Sequence, residues 1–350
     1  MLFLPLRRSM SKSAVSWGFL LLIVVLQYII PFHDALVVPL SAAKPTQSLM
    51  GVSLPKVTLD GNININENEN EIEYLDVGAE LATNTNDGVS GDGDGDKKRT
   101  MVVFGTHAGD FNTIEYMQKI RSSLPELQSK GGIDQILIIV NGEPDQCKLI
   151  AKLLDFPTTT SNAEIEVKIE VLSDPTGEAG RKFGVSRGFR PDDTSMSPFA
   201  KQFCSGIGIG PPWMTLPAVL PGYFGDPNGR REWIETSLKQ GQLSGRWPKI
   251  LELDQDENII ANKFDDAPLG VSNWGRRPFE LATLRLQSLI GIQIKHWSEL
   301  KPVDDRCLTQ YGGCTVVEKG GNAIYSWVDR GLCDVPDMHD ILEVLSSGEQ

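Results

Sequence analysis

The chain has 350 residues, of which 40% are hydrophobic, and it carries a formal net charge of −13. This length and composition suit a globular protein with one large domain and additional segments, or with two small domains. The acidic balance argues against a nucleic-acid-binding protein, which usually carries a basic patch, so we expect no nucleic-acid partner.

Residues 1–35 have the pattern of a signal peptide. A basic start precedes an apolar run of 14 residues from Trp17 to Ile30, which is broken only by Gln27. The run is shorter than the roughly 20 residues of a membrane span, but it suits the core of a signal peptide. A short signal anchor is the alternative interpretation.

Residues 36–59 contain no acidic residue and several Ser, Thr and Ala residues, a composition typical of a transit peptide. A signal peptide followed by such a segment is similar to the two-part leader of algae whose plastids lie inside extra membranes. The leader therefore predicts delivery to the plastid, with secretion or an endomembrane location as the alternative. Once the leader is removed, we expect no membrane contact.

A low-complexity stretch follows the leader. Residues 60–96 hold eleven carboxylates and no Lys or Arg. Low hydrophobicity combined with high net charge cannot bury enough surface to offset the entropy of the chain. We therefore predict a disordered acidic linker over residues 60–99.

From residue 100 onward, short apolar runs alternate with segments of helical periodicity. The predicted strands are Met101–Phe104, Ile133–Val140 as the central strand, and Ile165–Leu172. The predicted helices run from Asp110 or Asn112 to Gly131, from Asp145 to Phe156, and from Glu178 to Phe183. Alternating strands and helices favour parallel pairing in an α/β domain.

The end of the chain has a different pattern. Two strands, Cys314–Glu318 and Ala323–Val328, flank a Gly-Gly turn, and a helix follows from about Pro336 to Leu345. A βαβαβ unit followed by a β-hairpin and a helix is the chain order of a thioredoxin-like fold. We therefore predict that fold, with a mixed central sheet, over residues 100–350, and we expect the closing hairpin to pair beside the opening strands.

A long, partly helical insertion separates these two halves, at about residues 186–305. One strong helix is visible in it. Its apolar residues recur on one face: Phe279, Ala282, Leu286, Leu289, Ile290, Ile294 and Trp297. Leu284 and Ile292 make other faces of this helix apolar too, so the pattern predicts a packing helix that is buried or lies at an interface.

Several segments resemble one family. The stretch from Asp174 to Val185 is similar to a turn and short helix of peroxiredoxins. Three further segments are similar to peroxiredoxin-like proteins, of the alkyl hydroperoxide reductase/thiol-specific antioxidant type, from cyanobacteria and plastids: Gly109–Asn112, Cys204–Gly208 with Leu220–Asp226, and Arg277–Gln287. The resemblance covers about residues 101–345 and implies thiol-redox, antioxidant chemistry with a thiol reductant as partner.

The start of the first helix departs from this family. Thioredoxin-fold enzymes place a thiolate there, where the helix dipole and free N–H groups stabilise its charge. In this chain the helix start holds Asp110, Asn112 and Thr113, and no cysteine. Gly312 and Gly313 stand where thioredoxins carry a cis-proline. Neither an amide nor a hydroxyl can cycle through a sulfenic acid.

Other cysteines are candidates for the chemistry. Cys204 lies in a Gly-rich segment whose backbone amides can converge on an anion, and it is the predicted catalytic residue; an inert loop thiol is the alternative. Cys307 and Cys333 flank the hairpin and are candidates for a regulatory disulfide. Cys147 and Cys314 are predicted to be buried packing residues.

Two further polar sets are notable. Arg276, Arg277 and Arg285 are candidates for binding an anion, although Arg residues on a helix are usually solvated or paired. His107 and Asp110 are candidates for an acid–base pair, with Asp110 as a helix cap being the alternative. The chain has no CxxC pair, so we predict no metal site and no cofactor.

Two functions remain open from the sequence. The first is a peroxiredoxin-like thiol-redox protein of the plastid, which uses Cys204 and an unidentified thiol reductant. The second is a non-catalytic thioredoxin-fold module that binds a protein or a small ligand. The absent helix-start cysteine favours the second on chemical grounds, whereas the resemblance favours the first.

Overall fold

A computed structural model describes residues 45–59, 73–83, 99–157, 167–206, 222–225, 230–264, 277–318 and 321–347. The predicted signal peptide, most of the predicted linker and Arg276 lie outside these ranges. The strands are β1 (Ser53–Val57), β2 (Tyr74–Asp76), β3 (Arg99–His107), β4 (Ile133–Asn141), β5 (Lys168–Ser173), β6 (Leu251–Leu253), β7 (Ile259–Asn262), β8 (Gly313–Glu318) and β9 (Ala323–Val328).

Helices connect and cover these strands. They are α1 (Pro45–Leu49), α2 (Val77–Thr83), α3 (Phe111–Ser129), α4 (Pro144–Leu153), α5 (Glu178–Phe183), α6 (Pro198–Gly206), α7 (Glu232–Leu243), α8 (Arg277–Ser288), α9 (Trp297–Leu300) and α10 (Met338–Ser347). A π-helical segment, Leu289–Ile294, continues α8, and a short 3-10 turn, Asp305–Cys307, precedes β8.

Seven strands form one mixed sheet in the order β2-β1-β5-β4-β3-β8-β9. Strands β3, β4 and β5 are parallel, as the strand–helix alternation predicts. The closing hairpin pairs antiparallel with β3, where Val102 lies opposite Thr315. The α/β class and the joining of both ends of the domain in one sheet are therefore confirmed.

Burial on both faces explains the apolar runs. All nine residues of β3 are buried, and β4 is exposed only at its second position. One face of the sheet packs under α3, α4 and α10, and the other face packs under the N-terminal segment and α5. A strand covered on both sides reads as a continuous hydrophobic stretch, which is why β4 was predictable as the central strand.

The N-terminal segment corrects two expectations. Within the predicted linker, residues 74–83 form β2 and α2, so the prediction of a disordered spacer is wrong for them. Within the predicted transit segment, β1 pairs antiparallel with both β2 and β5. The reason is local: Leu75, Val77 and Leu81 are buried, but they are few among many acidic neighbours that dominate the average composition.

The insertion has a small core of its own. Helices α7 and α8 pack with the β6–β7 hairpin around six buried residues: Trp233, Ile234, Leu238, Leu251, Leu281 and Leu284. The single apolar face predicted for this helix is not the buried one, because Ile290 and Ile294 are exposed. Leu284 and Ile292, which the sequence places on other faces, are buried instead. The π-helical segment rotates the following residues relative to an ideal helix, so one helical wheel cannot describe both halves.

Candidate functional site

The carboxyl ends of the parallel strands meet at one edge of the sheet. Strand β3 ends at His107, β4 at Asn141 and β5 at Ser173. In open α/β sheets this edge is where ligands bind. The predicted helix-start residues Asp110, Asn112 and Thr113 also lie here, and all three are buried.

Thr113 fastens α3 to β3. Its hydroxyl oxygen accepts a hydrogen bond from the Thr106 N–H at 2.8 Å and lies 3.0 Å from the Thr106 hydroxyl. Gly105 allows this contact, because a Cβ added there would lie 2.9 Å from the Thr113 hydroxyl oxygen. Thr113 therefore has a structural role in joining the start of α3 to the end of β3.

Asp110 occupies the N-cap position of α3, but its side chain makes no capping hydrogen bond. Burial raises the pKa of Asp110, while the neighbouring His107 opposes this shift. Burial lowers the pKa of His107, and the charge of Asp110 opposes that shift in turn. Burial therefore shifts both groups toward their uncharged forms. The Asp110 side chain is not the helix cap that the alternative prediction describes.

Asn112 joins α3 to the loop that follows β9. Its amide nitrogen donates to the Asp329 carboxylate at 2.6 Å and to the Gly331 carbonyl at 3.1 Å. Its amide oxygen accepts the Cys333 N–H at 2.7 Å. One buried side chain thus satisfies three groups, and it brings Cys333 to the start of α3.

Asp329 is the buried acid of this cluster. The Tyr116 hydroxyl donates to its second carboxylate oxygen at 2.7 Å. Burial raises the pKa of Asp329 well above its usual range, although the hydrogen bonds from Tyr116 and Asn112 oppose the shift. Groups with strongly perturbed pKa values at a ligand-binding edge mark a candidate functional site.

Arg285 reaches the same cluster from α8. Its Nε and one terminal nitrogen donate to the Glu115 carboxylate at 2.5 Å and 3.1 Å, and its guanidinium carbon lies 6.0 Å from the centre of the Tyr223 ring. The remaining nitrogen, Nη1, is buried without a hydrogen-bond partner. Arg285 is therefore ion-paired, as the alternative prediction states, and the N–H groups of Nη1 stay unused. Its role in anion binding stays a prediction.

Cys333 lies beside this arginine. It is only 2% exposed, and its backbone has a positive φ of 65°, which is unusual for a residue other than glycine. Burial raises the pKa of the Cys333 thiol, whereas the charge of Arg285 lowers it. The sequence could not place Cys333 here, because 221 residues separate it from Asn112.

The other predicted site residues are placed differently. Cys204 lies half-buried on α6, and no hydrogen bond among the described residues joins it to the start of α3. Arg277 begins α8, but its side chain, like all of Arg276, lies outside the described part.

The five cysteines are free thiols, so the predicted Cys307–Cys333 disulfide is absent. Cys147 and Cys314 are buried core residues, as predicted.

Helix α6 covers the same edge. The Gln202 amide nitrogen lies 3.2 Å from Nε2 of His107, and the Ser205 hydroxyl donates to the Tyr311 hydroxyl at 3.3 Å. The Trp297 ring meets the His107 ring edge-on at 6.0 Å. The insertion therefore closes the carboxyl edge over His107.

Within the described ranges, no three His, Cys, Asp or Glu residues are grouped to hold a metal ion. Over the same ranges, the helices are too short or too polar to cross a membrane. Comparisons of this chain with protein-family models, with curated proteins and with solved structures found no match.

Proposed function

We propose that the domain has a thioredoxin-like fold and is a slow thiol-redox protein related to peroxiredoxins, with Cys333 as its reactive thiol. The fold assignment is supported by the order β4-β3-β8-β9, in which a parallel βαβ unit lies beside an antiparallel hairpin followed by α10. The hydrogen bond from the Cys333 backbone N–H to the Asn112 side chain carries the functional proposal, because it holds Cys333 at a helix start that lacks its own cysteine.

The chemistry is the oxidation of one thiol by a small hydroperoxide. The Cys333 thiolate attacks the peroxide, a sulfur–oxygen bond forms, the oxygen–oxygen bond breaks, and the leaving alkoxide takes a proton to become an alcohol. Two equivalents of a thiol reductant then return the sulfenic acid to the thiol and release a disulfide and water. Because burial raises the pKa of Cys333, little thiolate exists at neutral pH and the reaction is slow.

A non-catalytic binding module is the second candidate. It is favoured by the burial of four thiols, which raises the pKa of Cys147, Cys307, Cys314 and Cys333, that of Cys307 to about 11. Protonated thiols are poor nucleophiles. In this case the carboxyl edge of the sheet would bind a protein or a small ligand without catalysing a reaction.

Oxidation mapping separates the two functions. The protein is treated with hydrogen peroxide between pH 6 and pH 9, sulfenic acids are trapped with dimedone, and each cysteine is analysed by mass spectrometry. We expect modification at Cys333, at a rate that rises with pH, and its loss in Cys333→Ser but not in the matched control Cys204→Ser. Modification of Cys204 alone would show that the reactive thiol is Cys204 and not Cys333. If no cysteine is modified, the binding module is the better description.

We also propose delivery to the plastid by a leader that ends before α1. The supporting observation is that Leu49, Val52 and Leu54 are buried in the folded domain, so a mature chain without them would lose part of its core. A fluorescent protein fused to residues 1–44 is expected to reach the plastid as well as one fused to residues 1–60. Export of both fusions would instead support secretion.

A further inference from the structure

Two buried residues at the carboxyl edge lie on adjacent strands, and neither is hydrogen-bonded to Cys333 in the described part of the chain. His107 and Asn141 end adjacent parallel strands and are register partners. Partners in a parallel pair point to the same face of the sheet. His107 is fully buried and Asn141 is 2% exposed.

Each of these side chains has an unused polar atom. Nδ1 of His107 and Nδ2 of Asn141 are buried without a hydrogen-bond partner. A hydrogen bond with the Leu300 backbone raises the pKa of His107, but no partner reaches Nδ1 with normal hydrogen-bond geometry. A buried polar atom without a partner costs about 1–3 kcal/mol, so two neighbouring ones call for an explanation.

Both unused atoms are donors. The Gln202 amide nitrogen, which can only donate, lies 3.2 Å from Nε2 of His107, so Nε2 is the acceptor. Because burial lowers the pKa of His107, the ring is neutral at pH 7 and carries its single proton on Nδ1. The amide nitrogen of Asn141 is also a donor. An oxygen atom from outside the chain would give both donors an acceptor of normal geometry.

The surroundings suit such an oxygen atom. Helix α3, which has 19 residues, begins just beyond His107, and its N-terminal end carries a partial positive charge. Trp297 and Gln202 cover the ring from the insertion. The Asp110 carboxyl faces His107, and its pKa is raised, so it opposes an anion less than an ordinary aspartate does.

We propose that His107 and Asn141 form a binding site for one oxygen atom of a small carbonyl or carboxylate ligand. The His107 Nδ1–H and the Asn141 amide donate to this oxygen, and α6 and α9 close over it. This site is separate from the proposed redox thiol, and it remains whether or not Cys333 reacts.

The test uses the full chain labelled with ¹⁵N-histidine. The imidazole nitrogens of His107 are observed by NMR while sodium formate, formamide or sodium chloride is added. Formate represents a carboxylate oxygen, formamide a neutral carbonyl oxygen, and chloride controls for ionic strength. We expect a saturable shift of the Nδ1 resonance with formate or formamide, and the stronger of the two identifies the ligand class.

Variants of Asn141 decide the outcome. Asn141→Asp keeps the shape but replaces the donor with an acceptor, so we expect the apparent affinity to fall at least tenfold. Asn141→Ala is a second variant in case the aspartate prevents folding, and the thermal midpoint of the wild-type protein with and without formate is an independent readout. The proposal fails if neither probe changes the Nδ1 resonance or the midpoint more than chloride does, or if both variants bind like the wild type.

Discussion

Replacing Asn112 with alanine tests whether the start of α3 and the Cys333 loop form one unit. The substitution removes three buried hydrogen bonds, to Asp329, Gly331 and Cys333. Each group left without a partner costs about 1–3 kcal/mol, so the free energy of unfolding should fall by at least about 3 kcal/mol. That is a large fraction of the roughly 5–15 kcal/mol that stabilises a typical domain.

Urea unfolding with linear extrapolation measures this loss. Asn258→Ala is the matched control, because Asn258 is exposed and should change stability by less than about 1 kcal/mol. Asn112→Asp keeps an oxygen that accepts the Cys333 N–H, but it places a second acceptor against the Asp329 carboxyl. Once both carboxyls are ionised, this variant should lower the free energy of unfolding at least as much as Asn112→Ala does. If Asn112→Ala stays within 1 kcal/mol of the wild type and leaves alkylation of Cys333 unchanged, Asn112 does not hold the Cys333 loop.

Two further predictions concern the ion pair and the N-terminal segment. Glu115→Gln leaves the Arg285 charge without its buried partner, so it should cost about 3–5 kcal/mol in urea unfolding. It should nevertheless speed alkylation of Cys333, because Glu115 raises the pKa of that thiol; slower alkylation would contradict the assignment. A chain that begins at residue 60 should have a lower urea midpoint than one that begins at residue 45. It lacks four buried aliphatic side chains, each of which contributes about 1.5–3 kcal/mol to stability: Leu49, Val52, Leu54 and Val57. Equal midpoints would show that β1 adds nothing.

The central part of the sheet was predictable because its strands are covered on both faces. Such strands give uninterrupted apolar runs, and β4, which the sequence predicts over Ile133–Val140, extends over Ile133–Asn141. The helix Glu178–Phe183 also has its predicted bounds, since Gly177 and Gly184 adopt positive φ at its two ends. Local chemistry decides these features, so a single sequence is enough to find them.

The candidate site depends on contacts between distant parts of the chain. Asn112 and Thr113 were identified from the helix start, but their partners come from elsewhere: Asp329 and Cys333 from the loop after β9, and Arg285, through Glu115, from the insertion. No local pattern marks these partners. One available signal was the acidic residue Asp329 directly after the apolar strand β9, where a solvent-exposed turn would be expected.

The titration of Asp329 links the cluster to the stability of the domain. Its pKa in the folded protein is raised above the ordinary 3.8, so the folded state binds the proton more tightly than the unfolded chain does. The contribution of the neutral carboxyl is therefore fully present below pH 3.8 and is lost as the pH rises toward the folded pKa.

Asp329→Asn replaces the titratable carboxyl with an amide that can still form hydrogen bonds with Asn112 and Tyr116. The new amide oxygen can accept from Asn112, and its nitrogen can donate to the Tyr116 hydroxyl, which rotates to accept. The stability of this variant relative to the wild type should therefore increase with pH above 3.8, by up to about 1.4 kcal/mol per pH unit, when urea unfolding is repeated from pH 4 to pH 8. Exposed Asp256→Asn is the control. If the difference in unfolding free energy between this variant and the wild type stays constant or shrinks as the pH rises, Asp329 is ionised in the folded protein. Burial would then not be the factor that sets the pKa of Asp329.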